Sequence, residues 1–294
     1  MKNKIMFIIL LGLFVWLGGC IGSNPSFAKE KKEKVPEGLK TKTEINYKFV
    51  EESGEYIKVF DSKKIYQYDN KGNQIEWDLY VFNGQLISKF LLKYDDKDNP
   101  IEGEQYTADG KLISKCLSKY DDKGNEIEVI LYDANGKLQS KYLYKYDDKS
   151  NPIEQARYDA GGKLIVKFLY KYDGKGNPIK QARYDASGKL ERKTLYKYDD
   201  KSNLVEQVWY DADSKLERKY PYKYDDRGNQ IEWNRYTADR KLISKYLSKY
   251  DDKNNRIEST KYEIKEESGK VKEIPIEQIV YEYEFYPEPK NGGK

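Results

Sequence analysis

The chain has 294 residues, 54 Lys+Arg against 50 Asp+Glu for a formal net charge of +4, 29 tyrosines, two cysteines and no histidine. The missing imidazole removes Ser-His-Asp and Cys-His catalysis, histidine metal ligation and a histidine pH switch, and the near-neutral charge gives no net pull toward nucleic acid. Charged residues reach 35%, a share seen in disordered proteins, but 14% aromatics is the composition of a chain that builds a core.

The first element is an address. A basic start at Met1-Lys2-Asn3-Lys4 is followed by an apolar run over 5–19 that is too short to span a bilayer comfortably as a helix, which is the layout of a secretory signal. The run ends in Leu17-Gly18-Gly19-Cys20, which resembles the bacterial lipobox. That resemblance implies cleavage of residues 1–19 and a diacylglyceryl thioether on Cys20, so the membrane is the first expected partner, reached through covalent lipid. Two or more acyl chains hold firmly, at about 0.8 kcal/mol per buried methylene. Ile21 stands where an inner-membrane retention aspartate is common, so an outer-membrane address is favoured in a cell that has one. With Cys20 lipidated, Cys116 is expected to be a buried structural thiol. Residues 20–42, rich in Gly, Ser, Asn, Lys and Glu, read as a flexible tether.

Residues 43–67 read as a degenerate capping hairpin, with apolar alternation on both sides of Glu52-Ser53-Gly54. From 68 to 257 a 26-residue repeat governs the chain: Tyr-Asp pairs recur at Tyr68, Tyr94, Tyr120, Tyr146, Tyr172, Tyr198, Tyr224 and Tyr250, each with an asparagine five residues later. Tyr146 to Lys171 shows the plan. A turn at Asp147 to Asn151 leads into a short alternating run, and a second turn at Ala160-Gly161-Gly162 leads into a longer one; both runs have strand composition. The second turn reads as a two-residue type I′ hairpin. Register then pairs Lys145 with Glu154 and Gln155 with Phe168. One face carries Gln155, Phe168 and Tyr170, and the other Glu154, Lys167 and Lys171. Residues 258–294 read as C-terminal capping strands and a tail. The expected fold is therefore all-β: tandem hairpin repeats, about sixteen strands, in one long, twisted, curled antiparallel sheet that stays open like a solenoid.

The repeated Tyr-Asp-x-x-Gly-Asn-x-Ile and Tyr-Asp-Ala-x-Gly-Lys-Leu resemble YD (RHS-type) repeats, with Lys or Asn where that family favours Arg and with a longer unit. The resemblance implies β-hairpin repeats. The very large members of the family enclose a toxin, for which this chain is too short.

Candidate chemistry is sparse, and no cofactor is expected. The loop at Asp225, Asp226 and Asn229 offers carboxylates in a spacing unlike an EF-hand, and Asx-turn bonding explains the same residues without a metal. Glu154 and Glu206 recur in nearly every unit, as cross-strand partners of lysine do, whereas a carboxylate hydrolase needs one pair in one cleft. Trp77, Trp209 and Trp233 interrupt the repeat and form the candidate binding surface. The sequence thus reads as an envelope-anchored, non-enzymatic scaffold presenting a repetitive surface to a protein partner. The alternative is a carbohydrate- or cell-wall-binding protein using its tyrosine ladder as a stacking lane.

Overall fold

A computed structural model describes residues 35–287 apart from 268. The signal peptide, Cys20 and the tether over 20–34 lie outside the described residues, as do residues 288–294. Described strands begin with β1 (Leu39–Glu52), which starts inside the segment expected to be tether, and β2 (Glu55–Tyr68). Fourteen shorter strands follow, from β3 (Gln74–Val81) to β16 (Leu242–Tyr250), among them β8 (Leu138–Tyr146), β9 (Pro152–Asp159), β10 (Leu164–Tyr172), β12 (Leu190–Tyr198), β13 (Leu204–Asp211), β14 (Leu216–Tyr224) and β15 (Gln230–Thr237). β17 (Arg256–Glu267) and β18 (Lys270–Phe285) complete a sheet of 18 strands.

Each strand pairs antiparallel with its sequence neighbours, and β1 also pairs with β18 from Leu39↔Phe285 to Lys48↔Glu277. The sheet is therefore a closed barrel, which corrects the expectation of an open repeat meander. The terminal hairpins are not caps. They are complementary edges, and joining them removes the exposed edge that an open sheet would have to protect. The carboxyl end reinforces the seam: the Tyr286 amide donates to Gly38 O at 2.7 Å and its hydroxyl to Tyr68 O at 2.7 Å.

The two turns of every unit share one design. At the second turn Gly162 N–H donates to Asp159 O and Asp159 N–H to Lys163 O, and Gly162 takes φ 80° while Gly161 does not have positive φ. This is a type I turn closed by one left-handed residue rather than the type I′ turn expected, which would need positive φ at two residues. The first turn matches it with Ser150 at φ 62°. The register shifts by one residue beside each turn, between Lys145 and Tyr146 and between Leu164 and Val166, leaving Ile153 and Ile165 as bulged residues. Away from the bulges Lys145 opposes Glu154 and Gln155 opposes Phe168, as read from the sequence.

The turn aspartates hold this geometry. Asp147 Oδ1 accepts from the amides of Lys149 and Asn151, and its Oδ2 accepts from Asn151 Nδ2. Asp225 and Asn229 repeat the bond, so the loop weighed for a metal uses its first carboxylate and its amide on the turn itself. From Tyr94 on, each repeat tyrosine reaches into the preceding unit: Tyr94 donates to Gln74 O, Tyr120 to Pro100 O, Tyr146 to Glu126 O and Tyr172 to Pro152 O, at 2.6–2.9 Å. These carbonyls belong to the first residue of a strand, next to a bulge, and the phenol of the following unit supplies a donor there.

The two faces differ in chemistry. Gln155, Phe168, Tyr170 and their counterparts lie on one face, where Tyr144, Tyr170, Tyr196 and Tyr220 are buried despite their size. Large side chains lose that much exposure where they converge, so this is the concave, lumenal face. The convex face carries lysine–glutamate pairs, such as Lys145–Glu154 at 2.9 Å, Lys197–Glu206 at 2.8 Å and Lys115 between Glu102 and Glu104 at 2.7 and 3.1 Å. A circular barrel of this strand number, with strands ~4.8 Å apart and tilted ~40°, has a backbone radius of roughly 18 Å, enough to leave a wide bore. Apolar burial accordingly gathers along the wall, in a cluster running from Tyr66 and Trp77 through Phe90, Cys116 and Val129 to Tyr144. Cys116 is 2% exposed and belongs to this buried cluster.

Candidate functional site

A repeat makes its own exceptions visible. Along the lumenal wall one slot reads Leu79, Gln105, Leu131, Arg157, Arg183, Trp209 and Arg235, and the slot beside it reads Ser88, Ser114, Ser140, Val166, Arg192, Arg218 and Ser244. The early units fill these positions with small, neutral or apolar residues. From Arg157 on, all but Val166 and Ser244 are arginine or tryptophan.

Register brings the exceptions together. Trp209 opposes Thr194 and Arg218, Gln207 opposes Tyr220, Trp233 opposes Tyr222 and Tyr246, and Arg235 opposes Ser244, so side chains from five adjacent strands, β12 to β16, converge on one face. Their rings form a continuous ladder. Trp209 and Tyr220 have centroids 5.0 Å apart, Tyr220 and Trp233 6.3 Å, and Trp233 stacks on Tyr246 at 3.5 Å with planes 8° apart. Cations close both ends, with the Arg192 guanidinium 4.6 Å from the Trp209 ring and Lys261 Nζ 5.7 Å from that of Tyr246.

Electrostatics confirm the convergence. Burial raises the pKa of the Tyr220 hydroxyl above the usual phenolic value, while the positive charges of Arg235, Arg218 and Arg192 pull it back. Three guanidinium groups therefore act on one ring. Arg192 is paired with Glu217 at 3.2 Å and Lys261 with Glu277 at 3.5 Å. Arg218 and Arg235 make no ion pair among the described residues. The Trp209 indole N–H and the Arg235 Nε–H are buried without a hydrogen-bond acceptor.

The three tryptophans singled out in the sequence thus part company. Trp209 and Trp233 stand in this cluster, partly exposed. Trp77 lies elsewhere on the wall, 2% exposed and stacked on Phe90 with centroids 5.6 Å apart, as part of the apolar cluster rather than of an open surface. Arg192, Arg218, Arg235 and Tyr220 were not singled out. Their signal was in the sequence as departures from a repeat slot, and it needed the register to show that the departures meet. The recurring carboxylates do not converge: Glu154 lies against Lys145, and Glu206 against both Lys197 and Lys219. Among the described residues no group of three or more His, Cys, Asp or Glu is placed to hold a metal ion.

No family model matches the chain, and no curated protein matches it. Among solved structures it is similar to a porin-like protein from Bacteroides uniformis, at 11% identity and TM-score 0.46, over 83% of this chain and 97% of that one. It is also similar to the TcdB2-TccC3 protein lacking its hypervariable C-terminal region, at 16% identity and TM-score 0.25, over 78% of this chain and 16% of that one. A Photorhabdus luminescens Tc holotoxin pore gives 13% identity and TM-score 0.25, over 82% of this chain and 17% of that one.

Proposed function

We propose that this chain is an envelope protein of the YD-repeat type, held at a membrane by lipid on Cys20. Its barrel is a non-enzymatic scaffold that recognises a partner through the lumenal cluster on β12 to β16. The observation that carries the reading is the cluster itself: a wall built by copying departs from its copies at positions that meet. The lipobox-like Leu17-Gly18-Gly19-Cys20 supports the address. The surfaces support a barrel that stands in water beside the membrane. A barrel spanning a bilayer needs an outward apolar band, and charge there costs about 2–4 kcal/mol for each Arg or Lys at the midplane. Here one face carries Lys141, Lys167 and Glu154 within its strands, and the other Gln155, Arg157, Gln181 and Arg183.

The sugar-stacking alternative fits less well, because the rings on β13 to β16 lie against one another and are capped by cations, leaving little ring face for a sugar. Two experiments test the proposal. In the lipid-free Cys20→Ser background, isolated envelope material should co-sediment the protein but not a Trp209→Ala/Trp233→Ala variant, while Trp77→Phe, which keeps an aromatic ring in the apolar cluster, retains binding; equal sedimentation of all three defeats the recognition reading. For the anchor, Cys20→Ser should release the protein from membranes. The chain holds two cysteines, so a thioether at Cys20 and an intramolecular disulfide to Cys116 exclude each other in one molecule. Intact mass and thiol titration of the membrane-extracted protein should show added diacylglyceryl and one reducible or free sulfur at Cys116. A protein without lipid mass, and without thiol until reduced, removes the anchor.

A further inference from the structure

We infer that the cluster on β12 to β16 is a binding site for a polyanion whose charges are carboxylate or phosphate oxyanions; this rests on the recognition reading above and names its ligand class. Three observations converge. Arg192 stands 4.6 Å from the Trp209 ring, Arg218 directly opposes Trp209 and Arg235 shares the face of Trp233 on β15, and of the three only Arg192 has a carboxylate partner among the described residues. The aromatic ladder fixes the arginines on a rigid wall, and it spends its own faces on ring stacking and on Arg192 and Lys261, so guanidinium is the chemistry left to offer. Finally, within the cluster the Trp209 indole N–H and Arg235 Nε–H are buried without an acceptor, and they call for acceptors rather than for more donors.

The arrangement suits a chain of charges better than a single ion. Arg183 directly opposes Arg192 across the sheet, Arg192 in turn opposes Asp211, and Arg218 opposes Trp209 one hairpin on, so positive charge is spread over several strands of the wall. Like charges set directly opposite destabilise a sheet unless something neutralises them. Glu191, 3.2 Å from Arg183, and Glu217, 3.2 Å from Arg192, neutralise that pair, whereas Arg218 and Arg235 have no carboxylate partner among the described residues. Guanidinium binds carboxylate and phosphate in the same two-pronged way, so the geometry selects the oxyanion and not its parent polymer.

The test uses the full mature chain in detergent, with intrinsic tryptophan fluorescence as the readout. The probes are inorganic polyphosphate, polygalacturonate and neutral dextran. Saturable binding of one or both polyanions, weakened by added salt through counterion release, is expected, with none for dextran. Binding of polyphosphate alone assigns phosphate, and binding of polygalacturonate alone assigns carboxylate. Arg218→Gln/Arg235→Gln should weaken binding by about tenfold or more, as loss of a charge-assisted contact does. Lys145→Gln/Lys171→Gln on the convex face should not. Melting curves verify that both variants are folded, and Arg218→Lys/Arg235→Lys, which keeps the charge, should restore part of the affinity. The inference is overturned if dextran binds equally, if the arginine variant binds as the parent does, or if the convex-face variant loses as much. Envelope co-sedimentation that still depends on Trp209 and Trp233, with no affinity for either polyanion, overturns the ligand class and leaves the recognition reading standing.

Discussion

At the scale of single residues the same amino acid serves distinct roles according to slot. Tyr172 closes a unit: its hydroxyl donates to Pro152 O at 2.6 Å, and deleting that donor leaves a carbonyl beside a bulge unsatisfied. Tyr172→Phe should therefore destabilise the barrel by about 0.5–1.5 kcal/mol, read as a shift in urea midpoint at unchanged slope; no shift would mean that the bulge carbonyl is hydrated instead. Trp77 is buried and packed against Phe90, so Trp77→Ala should cost about 3–5 kcal/mol. Trp209 and Trp233, partly exposed in the cluster, should cost less in stability and more in binding. That split between stability and binding separates a core indole from a recognition indole, and a larger melting loss for Trp209→Ala than for Trp77→Ala would reverse the assignment.

At the scale of the element, strands and turns were legible because the turn is local. Asp147, Asn151 and a left-handed Ser150 lie within five consecutive residues, and alternation between turns is readable by eye. Lys145↔Glu154 followed correctly from that alternation. The bulges at Ile153 and Ile165 were not legible from alternation alone, and the carbonyl beside the first, Pro152 O, takes its partner from Tyr172 of another unit, twenty residues away. The same hidden bond shapes the response to alkali. Burial raises the phenol of Tyr94 to about 12, and burial likewise raises those of Tyr120, Tyr146, Tyr172 and Tyr198. A raised folded pKa means that the stabilisation is complete below the unfolded value near 10 and is lost as pH climbs through the folded one. Phenolate absorbance should therefore lag behind that of free tyrosine above pH 10 and then rise together with loss of the β signal at about pH 12; gradual titration with the fold intact would contradict the burial of these rings.

At the scale of the molecule, the closed wall was the part least available to sequence reasoning. Nothing in β1 or β18 alone says that they are partners, since the pairing joins residues near opposite ends of the chain, and both read equally well as caps. The number of units sets the curvature that brings them together. Removing residues 270–294 takes away β18 and leaves β1 and β17 with open edges, so the truncated protein should self-associate more than the parent, measured by light scattering of the two side by side. A truncated chain that remains monomeric would show that closure is dispensable.

The constant 26-residue step gives the wall an arithmetic of its own. Every unit contributes one up strand and one down strand with the same offset, so an in-frame duplication or loss of a whole unit alters the gauge of the tube by two strands and still lets the last strand meet the first in antiparallel sense. Half a unit makes the strand count odd and brings the ends together in parallel, against the register that now joins them. Recombination between copies is thus filtered by geometry into a ladder of permitted bores. Duplicating residues 146–171 should yield a folded, wider tube by solution scattering, whereas inserting residues 160–172 alone should yield an unclosed, aggregating chain.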